Sequence, residues 1–495
     1  MKTHKKPFKQ PIPREVSRVT QTLEEANFEA YLIGGCVRDM LVEKKPKDWD
    51  ITTNATPEQI IELFEKTFYE NDYGTVGVVN EDTKHEEMKV IEVTPYRLES
   101  DYSDNRRPDS VKWSDNLEDD LKRRDFAMNA IAYSVSRETL IDPYNGTKDI
   151  QDKIIRTVGD PHDRFREDSL RILRAVRLAT ELGFTINTST QEAIKQTAHT
   201  LKNIAVERIR DELTKIVMSD SPMLGLIMAH ELDVLKHVLP EIERGIGVEQ
   251  NGDHIYTVWE HNLRAVQHAA KRDFSLDVRL AALLHDISKP ETRRWSKEKN
   301  NWTFYGHDVV GAKVTRETLK RLKFPKKTTT TVIKLVRNHL FFSDIEKISL
   351  SAVRRIVRNV GPENVWKLMD VRVCDRIGMG RPKETPYRLR KYESMIEEAM
   401  RAPVSVQMLK IDGARIMEIT KEKPGRKIGY ILHALLEETV YSPENNNEMF
   451  LVKRALELSV LPEKDLVNLA EKGKKEKEKK EEEELAEIRK RYHVK

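Results

Sequence analysis

Beyond Ile154 the apolar pattern is helical almost without interruption to about residue 463. The breaks fall where glycine or proline stands, at Gly183, Pro240, Gly245, Gly247, Pro290, Pro325, Gly361-Pro362, residues 378–386, Pro403, Pro424-Gly425 and Pro443. No repeat of fixed period runs through this stretch, so a solenoid is excluded. Before Ile154 the pattern is different. Residues 14–29 read as an amphipathic helix leading into a short apolar run, Tyr31-Leu32-Ile33. Residues 53–66 have a cap, an early proline and helical spacing, while residues 73–80 and 89–94 read as strands. The pattern predicts an α+β chain: a mixed sheet with helices first, then helical domains only.

A chain of 495 residues has room for several such domains. Its net charge is only +4, so a nucleic-acid partner has to be argued from local clusters. Cys36 and Cys374 stand far apart, in neither a zinc nor a redox spacing, which is cytosolic usage. The opening MKTHKKPFKQPIPR is basic but lacks the apolar segment of a secretory signal, and no 18-residue apolar run predicts a membrane span. A cytoplasmic protein without membrane association is expected.

Residues 31–53 read YLIGGCVRDMLVEKKPKDWDITT. Gly34 and Gly35 let backbone N–H groups come close to an anion, and a helix start adds a favourable dipole. Asp48 and Asp50 stand two apart, so a strand would point both to one face. Two carboxylates side by side repel unless a cation lies between them. The stretch predicts Mg²⁺ at Asp48 and Asp50 and a triphosphate held by Gly34, Gly35 and Arg38, the outline of a phosphoryl-transfer site. Glu92, in KVIEVT, supplies a third carboxylate if its strand lies beside that of Asp50. Further on, KRRDFAMNA sets arginine forks suited to phosphate oxygens before an aspartate and an apolar run.

Residues 164–182, RFREDSLRILRAVRLATEL, read as one helix with Asp168, Arg171, Arg174 and Arg177 on one face. Such a stripe is either a salt-bridged surface or a base-reading edge. An Asp accepts from an exocyclic amine while an Arg donates to a ring nitrogen or carbonyl, a combination that fits cytosine and adenine.

LIGGCVRD, KDWDITTNATPEQI, RRDFAMNAIAY, IDPYNGTKDIQDKIIRTVGDP, RFREDSLRILRAVR and ERIRDE stand in this order over about residues 28–215. The set resembles class II tRNA nucleotidyltransferases, the CCA-adding enzymes, and their bacterial poly(A) polymerase relatives. The resemblance implies a nucleotidyltransferase head at 14–155, a helical neck binding base and RNA at 156–245, a helical body, and a tail domain at 385–463. It implies Mg²⁺ at Asp48 and Asp50 with Glu92, triphosphate contacts from Gly35 and Arg38, and nucleotide contacts from Arg124 and Asp125. It further implies that Asp168 and Arg171 read the base, with Arg174 and Arg177 beside them, while Glu207, Arg208 and Glu212 buttress that helix. The loop at 97–120, a flexible segment or an inserted hairpin, is by the same analogy a lever between C and A.

A second constellation lies in RLAALLHDISKP, with His285-Asp286 on an apolar helix, His261 before it, and His307, His339 and Asp375 after it. Imidazole and carboxylate suit a divalent transition metal or Mg²⁺. The stretch resembles the HD-type metal-dependent phosphohydrolase domain, here 246–384, with His261, His285, Asp286 and Asp375 as ligands; Asp370 stands close to Asp375 as a rival. Residues 313–338 hold a basic cluster, with Lys320, Arg321, Lys326 and Lys327 as RNA-binding candidates or simply a solvated face. Residues 464–495 are a Lys/Glu run with few apolar residues, read as a solvated helix or disorder.

The function so implied is template-independent addition of CCA to tRNA 3′ ends from CTP and ATP, with phosphohydrolase activity at the HD centre. A poly(A) polymerase, or an enzyme adding only A or only CC, is the alternative within the class. The segment YGTVGVV, where poly(A) polymerases carry a basic stretch, leans toward CCA addition. An HD phosphohydrolase with a vestigial head, or a non-catalytic RNA-binding protein, stands outside the class.

Overall fold

The computed structural model of the chain describes residues 8–69, 74–99, 111–251, 255–340, 348–400, 406 and 409–494. Helix Arg14–Glu25 (α1) buries Val16, Val19 and Leu23 on one face, as 3.6-residue spacing requires. There follow Ala30–Ile33 (β1), Gly35–Leu41 (α2), Asp50–Thr53 (β2), Pro57–Leu63 (α3), Thr67–Tyr69 (β3), Val76–Val79 (β4) and Val90–Pro95 (β5). A capping box starts α3: Thr56 Oγ1 accepts from Gln59 N, and the Gln59 side chain accepts from Thr56 N. Arg97–Glu99 (β6) and Val111–Trp113 (β7) pair antiparallel, so the polar insertion is a hairpin at its base. Residues 100–110, the middle of the expected lever, lie outside the described residues. Leu117–Lys122 (α4), Ala132–Ser134 (β8), Thr139–Ile141 (β9) and Gly146–Asp152 (α5) complete the head.

Seven strands form one mixed sheet in the order β3-β4-β5-β2-β1-β8-β9. β2 and β5 run parallel, and every other neighbouring pair is antiparallel. The fold is α+β, a mixed-sheet head followed by helical domains. Ile154–Ile155 (β10) clips in parallel onto Thr185–Ile186 (β11). Around this clip stand Pro161–Glu167 (α6), Leu170–Leu182 (α7), Thr188–Thr197 (α8), Val206–Met218 (α9), Pro222–Glu231 (α10), Leu235–Val238 (α11) and Pro240–Glu243 (α12).

The single helix expected over 164–182 is two helices. Asp168 is extended (φ −140°, ψ 103°), and its carboxylate accepts from Leu170 N at 3.0 Å. A short polar side chain that captures a nearby N–H ends one helix and starts the next.

Next come Val258–Lys271 (α13), Leu276–Leu284 (α14), Lys289–Thr292 (α15), the hairpin of Arg294–Ser296 (β12) and Asn301–Thr303 (β13), His307–Arg321 (α16) and Lys326–Asn338 (α17). Arg279, buried in α14, donates to the carbonyls of Val217 (3.2 Å) and Ser219 (2.8 Å). The free carbonyls at the end of α9 are thus satisfied from another helix.

Leu350–Val360 (α18) and Val365–Gly378 (α19) follow. The chain divides into two compact units, Met1–His339 with Asp370–Arg381, and Leu340–Met369 with Pro382–Lys495. The second unit contains α18, Tyr387–Met400 (α20), Gly413–Thr420 (α21), Arg426–Tyr441 (α22), Glu448–Ser459 (α23) and Glu463–Arg491 (α24). Its core joins Ile416, Ile431, Leu435, Leu451, Leu458 and Leu466. The charged C-terminal run is therefore not wholly solvated. Leu466 and Ile488, near the two ends of α24, are buried. No described helix is long and apolar enough to cross a membrane.

Candidate functional site

β2 begins at Asp50, so Asp48 is not in the strand as expected; it lies exposed in the bend before it. Pro46 contributes no N–H to a ladder, and pairing starts only where Glu92 N donates to Trp49 O at 3.1 Å. In the parallel β2–β5 pair Asp50 and Glu92 are register partners. Partners across a ladder point to one face on strands about 4.8 Å apart, which sets Glu92 beside Asp50. Burial raises the Asp50 carboxyl above the usual range; Arg124 and Arg38 pull it down, and the Asp48 charge pushes it up. The acids lie close enough to feel each other, as a cation site of hard oxygens requires.

Gly34 stands over this cluster at φ 75°. A Cβ there would meet Arg124 Nη1 at 3.1 Å and Asp50 Oδ2 at 3.4 Å, so only glycine leaves the space open. Arg124 is aimed by Asp120, whose buried carboxylate also takes Arg123. Arg124 Nε is buried without a protein partner among the described residues. Arg38 donates to Asp39 Oδ1 (2.9 and 2.6 Å) and to Asn129 Oδ1 (2.9 Å). Asn129 donates in turn to Asp125 Oδ1 at 3.0 Å, and Asp125 Oδ2 receives a fork from Arg174 (2.9 and 2.7 Å). Burial opposes charge on Asp125, yet Arg174 and Asn129 hold its carboxyl well below the usual range. One polar chain thus runs from the glycine turn to the neck helix α7.

The expected stripe on residues 168–177 is not an open edge. Arg208 donates to both oxygens of Asp168 (3.4 and 2.7 Å). Arg171 is buried and donates to Glu167 (2.5 Å), Arg164 O (3.2 Å) and Arg123 O (2.9 Å). Arg174 is taken by Asp125, and Arg177 by Glu212 (2.5 Å) and Glu181 (2.6 Å). Glu212 holds α7 through Arg177, and Arg208 holds Asp168 in the link before α7, whereas Glu207 pairs away from that helix with Lys323, in the turn between α16 and α17.

The second site is built where five helices meet. His261 comes from α13, His285 and Asp286 from the end of α14, His307 from the start of α16, His339 from the end of α17 and Asp375 from α19; all are buried. His261 Nε2 lies 2.8 Å from His285 Nε2, 3.2 Å from Asp286 Oδ2 and 3.4 Å from Asp375 Oδ1. On the other side of Asp286, Oδ1 lies 3.2 Å from His307 Nε2 and 3.6 Å from His339 Nε2, and the two rings meet at 3.3 Å. His285, His307 and His339 each turn Nδ1 onto a backbone carbonyl, of Ala282, Phe304 and Val336. A neutral imidazole that donates through Nδ1 has only a lone pair at Nε2. Lone pairs and carboxylate oxygens aimed at one another fit a cation between them. Burial opposes a charge on His285, but Asp286 and Asp375 outweigh it and push its pKa up to about 10; the carboxylates that draw a proton onto the ring would draw a metal cation in its stead, and the lone pair is then free to bind it.

Two His/Asp groups here can each hold a metal: His261, His285 and Asp286, and Asp286, His307 and His339. Asp375 rather than Asp370 faces them; Asp370 lies apart near Arg272, its pKa raised by burial to about 6. Sequence reasoning did not use Lys289, buried 2.6 Å from Asp286 Oδ2, although it stands one turn after Asp286. Nor did it use Asp120 and Asn129, whose signal was their spacing around Arg123-Arg124. Of the basic cluster, Arg321 is not free for RNA: it forks onto Glu241 (2.8 and 2.8 Å). Lys320, Lys326 and Lys327 are exposed.

Three family models match the chain: the poly A polymerase head domain over residues 30–156, the probable RNA and SrmB-binding site of polymerase A over 183–246, and the HD domain over 252–380. The CCA-adding enzyme of Lactobacillus helveticus is 47% identical over 199 residues, 40% of this chain and 48% of that protein. That of Geobacillus kaustophilus is 44% identical over 214 residues, 43% of this chain and 50% of that one. The chain spans about half the length of these curated relatives. The crystal structure of the Bacillus stearothermophilus CCA-adding enzyme in complex with CTP is similar with a TM-score of 0.60 at 26% identity, covering 90% of this chain and 98% of that one. The Thermotoga maritima CCA-adding enzyme complexed with tRNA shares the fold, with a TM-score of 0.51 at 19% identity over 90% of this chain and 96% of that one. By these matches the chain carries a head domain of the poly A polymerase type and, after it, an HD domain.

Proposed function

We propose that this chain adds CCA to tRNA 3′ ends, taking CTP and ATP without a nucleic-acid template, in the cytoplasm. The observation that carries the reading is the register pairing of Asp50 with Glu92, with the Asp48 charge acting on the same cluster. Asp48, Asp50 and Glu92 are the residues that would hold Mg²⁺, which supplies Lewis-acid stabilisation of the transferring phosphate when bound. Gly34 and Gly35 keep the approach to Asp50 clear of side chains. Arg38 and Arg124 bring positive charge to the triphosphate, and Asp120 and Asn129 keep both forks aimed. Asp125 holds Arg174 and Asn129 in place on the nucleotide side.

In the transfer, the tRNA 3′-oxygen forms a bond to the α-phosphorus of the incoming nucleotide, the bond to the pyrophosphate oxygen breaks, and pyrophosphate leaves. Base choice falls to Asp168 and Arg171. In this reading each exchanges a protein partner for the base: Asp168 gives up Arg208, and Arg171 gives up Glu167. The exchange confines the base edge to the nucleotide-bound state. Guanine and uracil offer no amine beside an acceptor in the required sense and do not repay the lost ion pairs.

The opposed imidazole lone pairs support a second reading alongside the first. His261, His285, Asp286, His307, His339 and Asp375 would hold divalent metal ions, whose chemistry is phosphoester hydrolysis. Lys289 stands ready to balance the charge of a bound phosphate.

The test is a tRNA transcript lacking CCA, incubated with each nucleoside triphosphate and sequenced at its 3′ end. CCA addition is the expected outcome. A long A tail would replace this reading with polyadenylation, and no extension by folded, Mg²⁺-supplied protein would end it.

A further inference from the structure

The β12–β13 hairpin belongs to neither reading. Its segment, RRWSKEKNNWTFY, carries Arg293, Arg294, Lys297 and Lys299 against a single acid, Glu298. Its aromatic side chains are not core. Trp295 is 51% exposed and Tyr305 73%. Yet they are held in order. Trp295 meets Trp302 edge to face at 5.2 Å, and the guanidinium carbon of Arg293 lies over the Trp302 ring, 3.8 Å from its centre. Lys299 donates to the Tyr305 hydroxyl at 2.7 Å. Arg293 and Lys299 therefore rest on a ring and on an oxygen that carries no charge, and Arg294 too donates to the carbonyls of Glu291 and Arg293. Asn251 donates to Trp302 O and ties the hairpin to the body of the domain.

Exposed aromatic rings in contact with one another and rimmed by charged side chains mark an interaction surface. A partner of mixed charge would call for acids as well as bases here. A polyanion with unstacked aromatic rings meets both features at once: cations take its phosphates, and Trp295 and Tyr305 take its bases. We propose that the β12–β13 hairpin is a base-stacking platform for single-stranded RNA. Its place in the chain gives the platform a direction. Phe304 packs near Lys289 and its carbonyl holds the His307 ring, so a strand lying on the hairpin ends beside the HD cluster. Duplex RNA hides its rings and satisfies only the cations.

The probe is a fluorescent uridine hexanucleotide titrated into the full-length chain and followed by anisotropy, with ultraviolet crosslinking to locate it. Crosslinks are expected in residues 293–305. Trp295→Ala and Tyr305→Ala are each expected to weaken binding about tenfold, and Trp295→Phe to restore it. Melting temperature and CCA addition should stay at the level of the unmodified chain. Lys297→Ala with Lys299→Ala should flatten the dependence of affinity on salt. Equal binding of a duplex of the same length would overturn the proposal. So would unchanged affinity in both aromatic variants, which would leave the hairpin as a surface for a protein partner.

Discussion

Asp50 and Glu92 are neighbours across a parallel strand pair whose residues stand more than forty positions apart in the chain. Their nearness is a product of topology, since β5 must return beside β2 for them to meet. Glu92→Gln keeps the size of the side chain and removes its charge. Nucleotide transfer is expected to fall by on the order of a hundredfold or more at saturating substrate, with little change in the nucleotide KM. Single-turnover primer extension measures it, and a rate within twofold of the parent would remove Glu92 from the cation site. Asp50→Asn is expected to be at least as severe, because the Asp50 carboxyl lies at the centre of the cluster.

Much of this was legible in the residues. Gly34 and Asp50 announced the turn and the acid because few other side chains tolerate φ 75° or crowd two charges there. The sheet register was not legible, since Glu92 stands on a separate strand and no local pattern states which strands pair. The break at Asp168 was also hidden. Helical spacing runs straight through 164–182, and only the side-chain capture of Leu170 N interrupts it. The stripe of arginines was legible as charge but not as pairing: Asp125 and Glu212, which take Arg174 and Arg177, come from distant parts of the chain. The HD ligands were named by type, while the doubling of the site around both oxygens of Asp286 appears only in three dimensions.

The fork of Arg174 onto Asp125 Oδ2 joins neck to head. Arg174→Ala leaves a buried carboxylate without its main counter-charge. The chain should lose about 3 kcal/mol of stability, the lower end for a broken buried pair because part of Arg174 reaches solvent. The exposed Arg166–Asp163 pair provides the contrast: Arg166→Ala should cost well under 1 kcal/mol. Urea unfolding at neutral pH compares the two, and equal losses would show that Asp125 finds another partner.

Asp168 has its own guard in Arg208. With Arg208→Ala the carboxylate has lost its ion-pair partner before any nucleotide arrives. Discrimination between CTP or ATP and the other triphosphates should survive, while the nucleotide KM shifts by a few fold. With Asp168→Ala the discrimination itself should collapse. Competition assays with all four triphosphates separate these outcomes; intact selectivity in Asp168→Ala would place base reading elsewhere.

The two His/Asp groups share Asp286, so loss of that one carboxylate should empty both. Protein loaded with Mn²⁺ and desalted is expected to hold two equivalents, one for each group. His339→Ala should drop that toward one, and Asp286→Ala should empty both. CCA addition should be untouched, because neither residue approaches the head. Elemental analysis of the desalted protein gives the count. Identical loading in the parent and Asp286→Ala would show that the bound metal sits somewhere else.

Asp370, near Arg272 and apart from the HD cluster, gives stability a dependence on pH. Burial raises its carboxyl to about 6, and Arg272 offsets that only in part. A carboxyl whose folded pKa is raised binds its proton more tightly folded than unfolded. Below about pH 4 it is protonated in both states and costs nothing. As pH climbs from about 4 to 6 the unfolded chain ionises first, so stability falls; above 6 the loss is constant. Asp370→Asn removes that loss. The thermal midpoint should rise by a few degrees at pH 7.5 and stay level at pH 4.0, a modest gain because the carboxyl is only partly shielded from water. Scanning calorimetry at the two pH values decides it. An equal shift at both would mean that the amide gains through a new hydrogen bond and that the ionisation of Asp370 is not the source.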